Sequence, residues 1–502
     1  MSHTLINNKK FIFSIKLFIF FILVSIFFRT IIIYKGNWLI YFLFSLVSNY
    51  LIWFAFRKNF SFFEIFFSIF LWLGFWFKFT FILSLSDGVF REGVGRFNYS
   101  PEQFDLVLIV SSIAILGVIV AGYIRNFFFN YPNIDFKKIS LSLFYQKYRN
   151  IILCVFFFII VLVSCLNFYL KIYQKGIVSL ENYNFLFSGF IKMLLLFGLT
   201  SISSFIIYFE IVTFKKLSNL TLIIVLLETF FSSLSMISRA MFFSCLPIYF
   251  SIYKFTRSIK KNFDISYFIK FFIVVICLFY ISVVFVNFIR SKYFYIGLSS
   301  FTSEEFNKLN KNKELQFIED SAGNFVYLDK KIIKNSSSLN EFLYLSVNRW
   351  VGIDAVMSVV GSSEILDFNL LKRSFLDRFQ IDSLPFYEKT FGLENEKSIN
   401  LIKNIKGNTL PGIIAFLYYS GSFIFMFLII VGLCLLASLI EFLSFLVSKK
   451  NMIFSSIISM VIAYRFAHFG YLPNQSYLLF GSIFFTILFV FFYFRLIKKS
   501  KD

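Results

Sequence analysis

The stretch PGIIAFLYYSGSFIFMFLIIVGLCLLASLIEFLSFLV, residues 411–447, decides the fold. An α-helix rises 1.5 Å per residue, so about 20 apolar residues cross the hydrocarbon core of a bilayer. This run is too long for one upright helix. Its first part carries Pro411, Gly412 and Gly421, which reads as a re-entrant or interfacial piece ahead of a full span. Working outward, apolar stretches recur at 11–33, 38–56, 60–83, 104–124, 150–170, 184–210, 218–237, 240–253, 266–289, 452–467 and 476–495. With 411–447 they make about twelve spans by the usual length criterion. The 240–253 stretch, beside Arg239, is the shortest. The apolar core of 11–33 is too long for a cleavable signal peptide, and no A-x-A site follows it.

Composition agrees. Apolar residues are 58%, charged residues 15% and the mean hydropathy is +0.78, where a water-soluble chain has about 45–50% and about 25%. That excludes a secreted soluble enzyme, a cytosolic dehydrogenase or kinase and a disordered scaffold. The excess of basic residues is not a nucleic-acid signal, because charge on a membrane protein first reports topology. Phe supplies 80 of 502 residues while Ala is scarce, the mark of AT-rich codons, so aromatic stripes read as lipid-facing filler. Cys154, Cys165, Cys245, Cys277 and Cys434 all fall in apolar stretches, which implies neither a disulfide framework nor a zinc site.

Basic residues collect in alternate loops: Lys9 and Lys10, Arg57 and Lys58, Arg125 through Arg149, Lys215 and Lys216, Lys254 through Lys261, Lys449 and Lys450, and Arg495 through Lys501. By the positive-inside rule these loops and both termini are cytoplasmic. The polar segment 291–410 is different. It holds fifteen basic and fifteen acidic residues, so the whole net charge of +22 lies outside it. A neutral segment of this size is what a translocated domain looks like, and from Glu341 its alternation of apolar and charged residues suggests helices. The expected organisation is therefore an all-α polytopic membrane protein. Residues 1–290 carry nine transmembrane helices, 291–410 form one large, mostly helical periplasmic loop domain, and 411–502 carry the C-terminal helices.

Several catalytic signatures are absent: G-x-x-x-x-G-K-[ST], G-x-G-x-x-G after a strand, H-E-x-x-H, C-x-x-C and D-x-D. The first outer loop, near 29–37, has no acidic residue, which argues against an oligosaccharyltransferase-like layout. Arginine is more informative. AT-rich codons favour Lys, yet the outer ends of spans hold Arg29, Arg91, Arg96, Arg239, Arg290 and Arg465 against only Lys35, Lys171 and Lys175. Guanidinium forks meet two phosphate oxygens at once and stay charged. A single Arg also fits a snorkelling role; the set points to phosphate handling. Arg239 sits between two apolar spans, and Arg465 lies inside one, three residues before His468, so the pair occupies one helical turn. His468 can serve as a general base near neutral pH, while His3 in the tail is inert. Lys78 is a snorkelling residue or a further cation for the same site. Glu92 beside Arg91 and Asp354 near Arg349 are alternative bases, each reading first as the ion-pair partner of its neighbouring Arg.

Four stretches carry a likeness. They are Leu73–Gly74–Phe75–Trp76–Phe77–Lys78 with Phe97 and Asp105 beyond it; Ser238–Arg239; Asn348–Arg349–Trp350–Val351–Gly352–Ile353–Asp354–Ala355–Val356–Met357; and Pro411–Gly412 through Tyr418–Tyr419–Ser420–Gly421–Ser422, followed by Tyr464–Arg465 and Phe469–Gly470. In these the chain resembles the bacterial O-antigen, or oligosaccharide repeat-unit, polymerases. The likeness covers most of the chain in layout and about a tenth of it in motif. It implies an integral inner-membrane glycosyltransferase that uses neither nucleotide sugar nor metal and no cofactor. Such an enzyme moves a growing glycan from undecaprenyl diphosphate onto the next lipid-linked repeat unit at the periplasmic face, with a chain-length regulator protein as a partner. By the likeness, Arg239, Arg349 and Arg465 fall where diphosphate or sugar binds; the residue types themselves add Arg290, Lys78, Arg91, Glu92 and Asp354 as substrate contacts and His468 as base. O-antigen ligases share this layout. A lipid-linked oligosaccharide flippase is the rival of another class, but it needs no large outer segment and would show related halves with matching broken helices.

Overall fold

A computed structural model describes residues 2–57, 59–85, 88, 90, 94–129, 141–174, 184–214, 217–238, 245–252, 273–286, 288–289, 316–319, 325–328, 347, 350–377, 386–391, 410–470 and 476–499. Helices dominate them. In chain order they are α1 (Ser2–Ile33), α2 (Trp38–Ala55), α3 (Phe62–Leu85), α4 (Pro101–Phe128), α5 (Leu141–Leu170), α6 (Leu186–Phe214), α7 (Asn219–Ser235), α8 (245–252) and α9 (Ile273–Val286). Then follow α10 (Ile353–Val360), α11 (Phe368–Leu376), α12 (Phe386–Thr390), α13 (Gly412–Leu417), α14 (Phe423–Val447), α15 (Met452–Ala467) and α16 (Ser476–Lys499). Within 291–410, expected to be helical, the structure adds an antiparallel hairpin of β1 (Gln316–Glu319) and β2 (Phe325–Leu328), with Gln316 opposite Leu328.

Among the described residues six helices, α2 to α6 and α14, are long and apolar enough to cross a membrane. Five shorter apolar helices join them: Phe20–Ile33 of α1, α7, α9, α15 and Leu479–Arg495 of α16. These fall on eleven of the expected stretches. Of the twelfth, 240–253, the described part is α8. The 411–447 run divides as its Pro and Gly residues suggested. α13 and a 3₁₀ turn, Tyr418–Ser420, end at Gly421 in the left-handed region (φ +68°), and α14 starts afresh with Ser422 as its N-cap. Every residue from 411 to 420 is buried, so this piece lies inside protein.

Local chemistry sets the helix starts. Asn37 caps α2 by accepting from the Leu39 amide at 2.9 Å, Ser100 with Pro101 opens α4, and Asn451 caps α15. Ser61 and Glu64 form a reciprocal capping box on α3. The main core gathers α2, α3, α4, α14, α15 and the described part of 347–391, while α5, α6 and α7 share a second apolar cluster. α3 is the most enclosed long helix, with 72% of its apolar window buried against 28% for α14.

One end of the bundle is ionic. Arg125 Nε and Nη2 donate to the two Glu64 oxygens, both at 2.9 Å, and Arg57 Nη2 donates to Glu64 Oε2 at 3.2 Å. The Glu441 carboxylate of α14 accepts from the free amides of Phe62 and Phe63 at 2.9 and 2.8 Å. An anion at a helix N-terminus is favoured by the unpaired N–H groups there. Glu441→Ala should therefore lower stability by about 2 kcal/mol, read as a fall in the melting temperature of detergent-solubilised protein. Glu441→Gln, which keeps one acceptor, should lose less. From this end α3 runs towards Lys78, α15 towards His468, and α4 and α14 return, so the opposite end assembles the residues described next.

Candidate functional site

The motif stretches, far apart in sequence, meet through their backbones. α3 is interrupted by a π-helical turn, Trp72–Phe77, a local widening that recurs at functional sites. It presents Gly74 to the Val351–Gly352 peptide. A Cβ on Gly74 would collide with the Val351 carbonyl oxygen, and one on Gly352 would lie 2.6 Å from the Gly74 carbonyl carbon. Only two glycines allow that approach. Val351 in turn reaches the Pro411–Gly412 corner. There Gly412 has φ +70°, its amide donates to the Phe469 carbonyl at 2.9 Å, and a Cβ would stand 2.9 Å from the Ala467 carbonyl oxygen. Gly470 packs on the Pro411 ring, and Gly361 packs on the Arg96–Phe97 peptide. Three of the four motif groups thus form one contiguous cluster. Of the fourth, Ser238 is buried, and Arg239 lies outside the described residues.

Lys78 closes the π turn. It is 1% exposed, and its ammonium donates to the Asp354 carboxylate and, at 2.9 Å, to the Trp350 carbonyl. Asp354 thus pairs with Lys78, 276 residues away in the chain; its expected neighbour, Arg349, lies outside the described residues. Lys78 does not snorkel. The pair fastens α10, whose residues are all buried, to the enclosed helix α3. α10 contributes to the main core, so this part of 291–410 is built into the bundle.

Arg465 lies in the last turn of α15, half-buried. Its Nη2 and Nε donate to Ser476 Oγ at 2.7 and 3.3 Å, and its guanidinium stands 5.8 Å from the Phe469 ring centre. Among the described residues no carboxylate pairs with it. A half-buried cation held by one hydroxyl and an aromatic face keeps donors for an anionic ligand. His468 ends the helix one turn later. Its ring stacks on Tyr464 with centres 4.1 Å apart and meets Phe70 edge-on at 6.3 Å. Nδ1 donates to the Tyr464 carbonyl at 3.0 Å, which makes Nε2 the basic nitrogen of the neutral ring. Phe70 also faces Trp350, at 6.2 Å, and so links this helix end to the Lys78–Asp354 pair.

Arg91, Glu92, Arg239, Arg290 and Arg349 lie outside the described residues. Asp105, quoted with the first motif, has a separate task. It accepts from Tyr34 Oη at 2.7 Å and from the Asn37 amide at 2.9 Å, bracing the α1–α2 turn. Burial first, and then the adjacent carboxylate, push the Tyr34 phenol far above its usual pKa, so it remains a donor.

The residue reading passed over three groups. Ser476, which orients Arg465, carries no signal beyond a polar residue at a span start. The indole N–H of Trp76 and the phenol of Tyr419 are buried with no hydrogen-bond partner among the described residues. Such atoms are rare in folded proteins and leave room for a water or a ligand hydroxyl. Among the described residues no three of His, Cys, Asp and Glu come together as a metal site requires. No family model matches the chain, and no characterised protein or solved structure matches it significantly.

Proposed function

We propose that the chain is a polytopic bacterial inner-membrane glycosyltransferase of the O-antigen repeat-unit polymerase type. On this reading about twelve spans leave both termini cytoplasmic, 291–410 is periplasmic, and the glycine-lined cluster opens at the periplasmic face. One observation carries the proposal: motif residues from Gly74 to Gly470 meet at one end of the bundle, with an Arg that has no carboxylate partner among the described residues beside a His. The bundle's other end gathers Arg57 and Arg125, as a cytoplasmic end should.

The reaction asks little of the protein beyond charge and position. A hydroxyl of the acceptor repeat unit attacks the anomeric carbon of the donor glycan. The bond from that carbon to the diphosphate oxygen breaks, a glycosidic bond forms, and undecaprenyl diphosphate departs with the bonding electrons. Arg465, oriented by Ser476, stabilises the charge on the departing diphosphate. His468 takes the hydroxyl proton at Nε2. Arg239, Arg290 and Arg349 supply further diphosphate contacts, and Arg91 with Glu92 contacts the sugars. Lys78 and Asp354 hold α10 in place and so position what binds above it. The partners are undecaprenyl-diphosphate-linked oligosaccharide and a chain-length regulator.

The test is reconstitution in proteoliposomes with a lipid-linked repeat unit. Arg465→Ala should slow chain lengthening about a hundredfold, or ~2.7 kcal/mol, and Arg465→Lys should also impair it because the fork is lost. Unchanged lengthening in both Arg465→Ala and Arg239→Ala would remove the assigned roles. Transfer to lipid A core in place of chain growth would make the protein a ligase.

A further inference from the structure

The ionic end of the bundle also carries a feature that glycan transfer leaves unused. An open groove of about 640 Å³ runs along the surface of α2, lined by Asn49, Ile52, Trp53, Phe56 and Arg57. Its wall is mainly apolar, with Trp53 and Phe56 exposed, and its end is a guanidinium. Three aromatic rings border it: Tyr50 stands 5.4 Å from Trp53, and the Tyr50 and Tyr123 hydroxyls share a 2.5 Å hydrogen bond. Exposed Trp and Tyr gather at headgroup level in membrane proteins.

Among the described residues Arg57 is under-neutralised. Arg125 holds Glu64 through two 2.9 Å contacts, and Arg57 reaches the same carboxylate only at 3.2 and 3.4 Å. The nearby Glu441 carboxylate is engaged by the α3 amides. Nη2 of Arg57 also meets the Gly122 carbonyl at 2.9 Å, but Nη1 has only a 3.5 Å contact and Nε has no partner among the described residues. Desolvation holds the Arg57 pKa below the usual guanidinium value, and the like charge of Arg125 adds to this against the pull of Glu64. An anion arriving at the groove end relieves both effects.

We propose that this groove holds one anionic phospholipid of the cytoplasmic leaflet, with its phosphate on Arg57 and one acyl chain along Ile52, Trp53 and Phe56. The unbalanced positive charge at one end and the apolar wall leading from it favour that ligand over a zwitterionic lipid. The site is independent of the glycan chemistry at the opposite face.

Trp53 is a built-in reporter. The protein is reconstituted in phosphatidylcholine vesicles carrying either brominated phosphatidylglycerol or brominated phosphatidylcholine, and the Trp53 signal is isolated by difference from Trp53→Phe. Brominated phosphatidylglycerol should occupy the groove about fivefold more strongly, the worth of one basic residue near an anionic headgroup. Arg57→Gln should equalise the two lipids. Ile52→Phe narrows the groove without touching Glu64 and should weaken quenching by both lipids even if the Arg57 variant folds poorly. Equal quenching by both lipids in the unaltered protein, or undiminished quenching in Ile52→Phe, would overturn the proposal. So would loss of the preference in millimolar inorganic phosphate, which would mark a free-anion site.

Discussion

Gly74→Ala is expected to prevent accumulation of folded protein, although it adds one methyl group to a helix. The new Cβ would collide with the Val351 carbonyl oxygen, and its neighbour across the contact, Gly352, already has no room for a Cβ of its own. Overpacking a core usually costs about 1–3 kcal/mol because side chains shift aside. Here both sides of the contact are backbone, so relief requires moving α3 or the segment leading into α10. The cost should reach about 3 kcal/mol or more, a large part of the ~5–15 kcal/mol that keeps a protein folded. Gly432→Ala in α14 and Gly481→Ala in α16 are the controls. Nothing stands within 4 Å of a Cβ at either position, and alanine is the better helix former by about 1 kcal/mol. Monodisperse yield and melting temperature in detergent should fall sharply for Gly74→Ala and hold or rise for the controls. If all three behave alike, the Gly74–Gly352 contact does not exist in the folded protein.

The helices were largely legible in the sequence because run length and hydropathy report them directly. The interruption of 411–447 was legible too, because Pro411 and Gly421 are local signals. What escaped was long-range. Glu64, Arg125 and Glu441 sit near helix ends, where charges read only as topology markers. That Glu441 completes the N-terminus of a helix some 380 residues earlier in the chain, and that one glutamate holds two arginines, depends on packing. The pairing of Asp354 with Lys78 is of the same kind: 276 residues separate the two, and only the packing of α10 on α3 brings them together. Residues 350–377 read as part of the neutral outer segment, and charge balance carries no record of what that segment packs against. Yet the apolar face of α10 is enclosed by the bundle. The glycines stood in plain view within the motifs. Their meaning as paired contact points needs two segments at once, and a single sequence presents them one at a time.

The Lys78–Asp354 pair allows stability and chemistry to be separated. Each side chain is buried, Lys78 at 1% exposure and Asp354 at 6%. Removing either partner leaves the other charge buried without this contact, and breaking a buried pair in this way costs about 3–5 kcal/mol. Lys78→Met and Asp354→Leu should each lower the melting temperature severely and abolish chain lengthening for want of folded protein. The double variant is different. Replacing both charges by apolar groups of similar bulk removes the desolvation penalty with the attraction, and such exchanges are often neutral or stabilising by about 1–4 kcal/mol. The double variant should therefore fold nearly as well as the unaltered protein, with the Trp350 carbonyl left without its Lys78 donor. Its activity then assigns the role. If Lys78 only fastens α10 to α3, lengthening of the lipid-linked glycan returns with the fold. If instead the ammonium leaves Asp354 to meet the diphosphate, the double variant stays folded and inactive. Near-total burial of the ammonium and its engagement by both a carboxylate and a backbone carbonyl favour the first outcome: recovery of most of the rate together with the melting temperature.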